Sequence, residues 1–181
     1  MKIGIALAAV AVFSTATLAQ QPYAGMETRA IKTLSDQQVA DLQAGRGMGL
    51  ALAAELNGYP GPAHAIELAD KLGLSSEQLG KIKELFAAMK AETIPIGAQL
   101  IEEERSLNAA FAGKTITLAS LEMGTQQIGA TQAKLRAAHL KYHLATVAIM
   151  TPEQIATYNA LRGYAGGASP PQHQQQHHMH H

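Results

Sequence analysis

Three short segments of this chain carry the same local design. They are Leu34-Ser35-Asp36-Gln37-Gln38, Leu74-Ser75-Ser76-Glu77-Gln78 and Met150-Thr151-Pro152-Glu153-Gln154. In each, an apolar residue precedes Ser or Thr, and a glutamine follows three positions on. The hydroxyl can accept from the third backbone amide of a new helix, while the glutamine reaches back to the amide of the cap itself. Asp36, Glu77 and Glu153 place negative charge at the positive end of the helix dipole. Pro152 takes the first helical position, where a missing N–H costs nothing. Three such helix starts in one chain constrain it to an all-α fold.

The periodicity between them sets the helix lengths. Leu79, Ile82, Leu85, Phe86 and Met89, then Ile96, Leu100, Ile101, Leu107 and Phe111, recur at helical spacing around Pro95. This predicts one helix from Ser76 to Ala112, bent at the proline, with Gly113 closing it. Thr117 caps the next, from Leu118 to about Met150, with the stripe Leu121, Ile128, Leu135, Tyr142 and Ile149. The two long helices make a bent antiparallel hairpin. Short flanking helices are expected at Asp36–Leu56, from Pro62 to Gly73, and from Thr151 to Leu161. Gly45, Gly47 and Gly49 fall within the first of these. They mark either a close-packing face or hinge, or a break in the helix.

The first residues fix the expected compartment. Met1-Lys2, the apolar run Ile3 to Phe13, and Thr17-Leu18-Ala19 have the layout of a secretory leader cleaved after Ala19. The run is too short to span a bilayer, which needs roughly 20 residues. The expectation is a periplasmic, soluble mature protein. Residues 1–19 are then the leader, 20–34 a flexible N-terminal segment, 35–162 the helical domain and 163–181 a disordered His/Gln-rich tail.

Charge and composition narrow the function. Lys plus Arg and Asp plus Glu are equal at 14 each, and loss of Lys2 leaves the mature chain at about −1. No basic face for nucleic acid is expected. There is no cysteine, hence no disulfide framework and no thiol chemistry. Enzyme signatures fail in turn. Gly113-Lys114-Thr115 lacks the upstream glycine of a phosphate loop, Asn108 standing there. His139 and His143 have a zinc-protease spacing, but Leu140 replaces the general-base glutamate. No Gly-x-Ser-x-Gly elbow occurs. The chain reads as a non-enzyme that requires no cofactor.

Two histidine features remain. His139 and His143 lie four apart on one helix face and could share a Zn, Cu or Ni ion. A third ligand could come from His64, Glu67, the tail or a second subunit. Alternatively, the pair sits partly exposed at the edge of the apolar stripe. The tail places His173, His177, His178, His180 and His181 with Met179 in its last residues. Such a cluster binds late transition metals whether it is native or a purification tag. Its irregular spacing and the retained leader argue for native sequence.

The segments at Leu74–Gln78 and Met150–Gln154 are similar to the paired Leu-Thr-x-x-Gln motifs of the Spy/CpxP family. The resemblance covers roughly residues 61–161. It implies a curved helical hairpin that dimerises into a cradle. One branch implies an ATP-independent holdase for unfolded client proteins. The other, CnrX- and ZraP-like, implies metal binding and a membrane partner in envelope-stress or metal-resistance signalling. In that branch His139 and His143 occupy the place of a ligand pair before the last motif. His64 falls near a second such pair, while Phe86 stands near the place of the expected carboxylate. The holdase reading leads, with the metal sensor or buffer as its rival.

Overall fold

The computed structural model describes residues 23–164. The expected leader and the tail histidines His173, His177, His178, His180 and His181 lie outside these residues. Seven α-helices follow in order, and among the described residues there is no strand. They are α1 Asp36–Gln43, α2 Leu52–Glu55, α3 Pro62–Glu67, α4 Ala69–Leu72, α5 Ser76–Ala112, α6 Leu118–Val147 and α7 Pro152–Leu161. None is long and apolar enough to cross a membrane. At 37 and 30 residues, α5 and α6 dominate, and they pack together as a hairpin.

The helix starts follow the local chemistry. Ser35, Ser75 and Thr151 each form the full capping box with Gln38, Gln78 and Gln154. Thr117 forms a fourth with Ser120, a hydroxyl serving where the others use an amide. Pro95 sits within a helix that continues through it. Two ends differ from expectation. Gly113 keeps right-handed backbone, and Lys114 takes the left-handed turn at φ 54 instead. α6 stops at Val147 rather than near Met150.

The first helix is broken, not continuous to Leu56. Gly45, Met48 and Gly49 all have positive φ, at 65, 43 and 80. Right-handed helix cannot pass through such residues, so the chain turns over as a loop from Ala44 to Ala51. A side chain at Gly45 would lie 2.7 Å from Thr93 Oγ1 on α5. The glycines therefore act as a break, and Gly45 also as a close approach. A smaller interruption at Leu68, φ −100, separates α3 from α4. The segment before α1 packs onto the hairpin. Ile31 is buried, the Lys32 amide donates to Asn108 Oδ1, and Thr33 Oγ1 donates to Glu104.

The apolar core has two parts. Ile31 and Leu42 meet Leu100, Ile101, Ile128 and Leu135 along the middle of the hairpin. Ala65, Leu72, Ile82, Met150 and Tyr158 form the second part at its base. There the glutamines of two capping boxes meet. Gln78 Nε2 donates to Gln154 Oε1 at 2.9 Å, and Gln154 Nε2 donates to Gln78 Oε1 at 3.1 Å. Each Oε1 still accepts its own cap amide. The paired motif is thus one reciprocal amide clasp between α5 and α7.

Gly97 shows how tightly α1 meets α5. A Cβ there would stand 2.6 Å from the Leu42 carbonyl oxygen, which is backbone and cannot swing away. Gly80, on the same helix, faces open space. Gly80→Ala is expected to stabilise by up to about 1 kcal/mol through helix propensity. Gly97→Ala is expected to destabilise by about 1–2 kcal/mol, overpacking outweighing that gain. Urea midpoints moving in the same direction would contradict this contact.

Candidate functional site

The hairpin and the segments packed against it line an open cavity of about 580 Å³. α5 contributes Phe86, Met89 and Lys90, and α6 contributes His139 and His143. The loop Ala44–Ala51 roofs it, with Met48 among its lining residues. Glu55 from α2 and His64 from α3 enter from one side, with Arg162 and Tyr164 following α7.

The two α6 histidines project together because four residues make about one helical turn. Neither sits at an exposed edge: His139 is 2 % and His143 9 % exposed. Their surroundings differ. His143 Nδ1 lies 2.7 Å from the Tyr59 carbonyl oxygen. A carbonyl only accepts, so Nδ1 carries a proton and donates it, which leaves Nε2 as the nitrogen free of that bond. Gly61 permits this placement, since a Cβ there would fall 2.7 Å from the imidazole. Gly47 lies in ordinary contact with the His139 ring. His139 Nε2 is buried with no hydrogen-bond partner.

Burial, reinforced by nearby His143, holds the His139 imidazole below its ordinary pKa. It is therefore neutral near pH 7 and free to offer a lone pair. The unfolded chain takes up this proton near pH 6.5, whereas the folded chain resists it until lower pH. Stability from this group is full above about pH 6.5 and declines as pH falls through the lowered value. His139→Gln is expected to flatten the urea midpoint between pH 7.5 and 5 relative to the parent. An identical decline in both proteins would refute the assignment.

Sequence reasoning missed the centre of the polar network, Glu55. This carboxylate is 6 % exposed. Its Oε1 accepts from Tyr158 Oη at 2.5 Å and from Tyr164 Oη at 3.4 Å. Arg162 Nε stands 3.3 Å away and His64 Nδ1 3.4 Å away. His143 Nδ1 lies 3.7 Å from Oε2, which has no hydrogen-bond partner. Burial first, then the bond to Glu55, pushes the Tyr158 phenol well up, so it remains a donor. One signal was available: Glu55 is the lone charge in the apolar run Leu50–Leu56. Glu55 also brings a carboxylate to the cavity that Phe86 cannot supply. Glu67, named from the sequence as another possible ligand, also lines the cavity but is exposed.

His64, His139 and His143 thus line one cavity. Yet among the described residues no three His, Asp or Glu side chains converge into a cage that could hold a metal ion. The reason is visible in the bonding: Glu55 is engaged by Tyr158 and Arg162, and His143 Nδ1 by Tyr59. What the cavity offers is two imidazoles at helical spacing, one with an orphaned buried nitrogen. That is a donor pair suited to a late transition-metal ion.

A family model described as heavy-metal resistance matches residues 44–157, from the glycine loop through α7's Tyr158 neighbour Thr157. No curated protein and no solved structure matches the chain.

Proposed function

This chain belongs to the heavy-metal-resistance family, and we propose on that premise that it is an exported sensor or buffer whose cavity binds a transition-metal ion. The observation that carries the reading is His139 Nε2, buried, unpartnered and one turn from His143. An orphaned buried nitrogen costs roughly 1–3 kcal/mol, and a coordinated ion removes that penalty. The paired Leu-Ser/Met-Thr helix starts and the leader agree with a Spy/CpxP-like protein of the periplasm.

The test separates cavity from tail. Glutamine at His173, His177, His178, His180 and His181, with Met179→Leu, leaves the chain at full length. Calorimetric titration of this mature protein is expected to show one ion per chain at micromolar affinity or tighter. His139→Ala or His143→Ala should weaken it by roughly 100-fold or more. A tail-substituted chain that binds no transition metal would end the sensor reading.

The holdase reading has its own observation. Phe111, Leu118 and Met123 stand 53, 71 and 62 % exposed near the turn of the hairpin. Single exposed apolar side chains are ordinary on protein surfaces, so the metal reading is preferred. Suppression of client aggregation by the metal-free chain, lost on Phe111→Ser with Leu118→Ser, would reverse that preference.

A further inference from the structure

We propose that the ion taken by this cavity is monovalent copper, held by the imidazoles of His139 and His143 together with the thioethers of Met48 and Met89. The inference rests on the metal-binding reading above and names its ion. Four observations lead to it.

The first is what the cavity lacks. Zinc sites take four nitrogen, oxygen or thiolate donors in tetrahedral array. No three His, Asp or Glu side chains converge here, and the chain has no cysteine. Glu55 is already the acceptor for Tyr158 and stands against Arg162, whose positive charge opposes a cation beside it. A hard or borderline ion would find too few free ligands.

The second is what the cavity holds instead. Met48 and Met89 line the same space as the histidine pair, from opposite sides: the glycine loop and α5. Thioether sulfur is a poor ligand for zinc or nickel, but a good one for the soft Cu(I) ion. Copper(I) also accepts a low coordination number, so two imidazoles and one or two sulfurs suffice.

The third is the backbone of Met48. It has φ 43, one of two non-glycine residues with positive φ among those described. An unbranched methionine held in left-handed backbone between Gly47 and Gly49 is a local cost of order 1 kcal/mol. Its side chain is still 40 % exposed, so apolar burial does not account for the placement. A ligand at the cavity does.

The fourth is His139 itself, buried and with an orphaned nitrogen. A neutral donor set of imidazole and thioether leaves a monovalent ion's charge unbalanced by only one unit.

The experiment uses the full-length mature chain with the tail substitutions given above. Under anaerobic conditions, Cu(I) is titrated in competition with bicinchoninate, and Zn(II) and Ni(II) are titrated separately. One Cu(I) per chain is expected, bound at least roughly 100-fold more tightly than either divalent ion. Met48→Leu with Met89→Leu conserves volume and should leave the fold intact by thermal melting. This double variant should lose roughly 100-fold in Cu(I) affinity while Zn(II) affinity stays within about threefold. Copper K-edge absorption should show sulfur beside nitrogen scatterers in the parent and nitrogen alone in the variant. If Zn(II) or Ni(II) binds as tightly as Cu(I), or the methionine variant binds Cu(I) like the parent, the copper assignment is overturned while the metal reading stands. If no ion binds, both fall.

Discussion

Glu55→Ala is expected to lower stability by about 3 kcal/mol. Removal of one partner from a buried charge network strands the others, and such losses run at about 3–5 kcal/mol. Tyr158, which is fully buried, would lose its acceptor, and Arg162 would lose its nearest counter-charge. Partial exposure of Arg162 softens the second loss, so the low end applies. For a chain of this size the melting temperature should fall by roughly 6–12 °C. Glu55→Gln can still accept from Tyr158 but carries no charge, and should cost about half as much. An alanine variant that melts within 1 °C of the parent would show that the network is not cooperative.

The amide clasp gives the second large effect. Loss of the Gln78 side chain removes the acceptor for the Ser75 amide and the donors to Ile149 and Gln154 in a single step. Gln78→Ala is expected to cost about 2 kcal/mol, from one cap and two further hydrogen bonds. Gln154→Ala should cost nearly as much, since it frees the Thr151 amide and the Gly73 carbonyl. The two effects share a bond pair, so the double variant should fall short of their sum by about 1 kcal/mol. Urea unfolding of the four proteins checks this. Strict additivity would mean that the clasp contributes two independent caps and nothing between them.

How far the fold could be read depended on whether its cause was local. The starts at Asp36, Ser76 and Pro152 were legible because a capping box is written within four residues. The histidine pair was legible because one helical turn brings positions four apart together. The break after Gln43 was written in Gly45, Gly47 and Gly49, but periodicity alone left hinge and break equally open. Contact with Thr93 and the positive φ values decide it. The partners of Glu55, Arg162 and Tyr164, were beyond reach for another reason. Glu55 lies more than 100 positions before Tyr158 and Tyr164, and only the folding back of α7 and the residues after it brings those side chains to Glu55. The clasp stood between these cases. Each glutamine was visible as a cap, and nothing in either segment announced its partner.

The clasp has a topological consequence. Gln78 and Gln154 are 76 positions apart, so their bond pair closes nearly the whole hairpin into a ring. Ring closure of that length carries an entropic cost that grows only slowly with size, and secreted domains commonly meet it with a covalent cystine. Here the closing link is two amide hydrogen bonds. It can open without any covalent bond being broken. It also has no redox state. Soft ions seek out thiolates, and a ring shut by glutamine gives them nothing to attack.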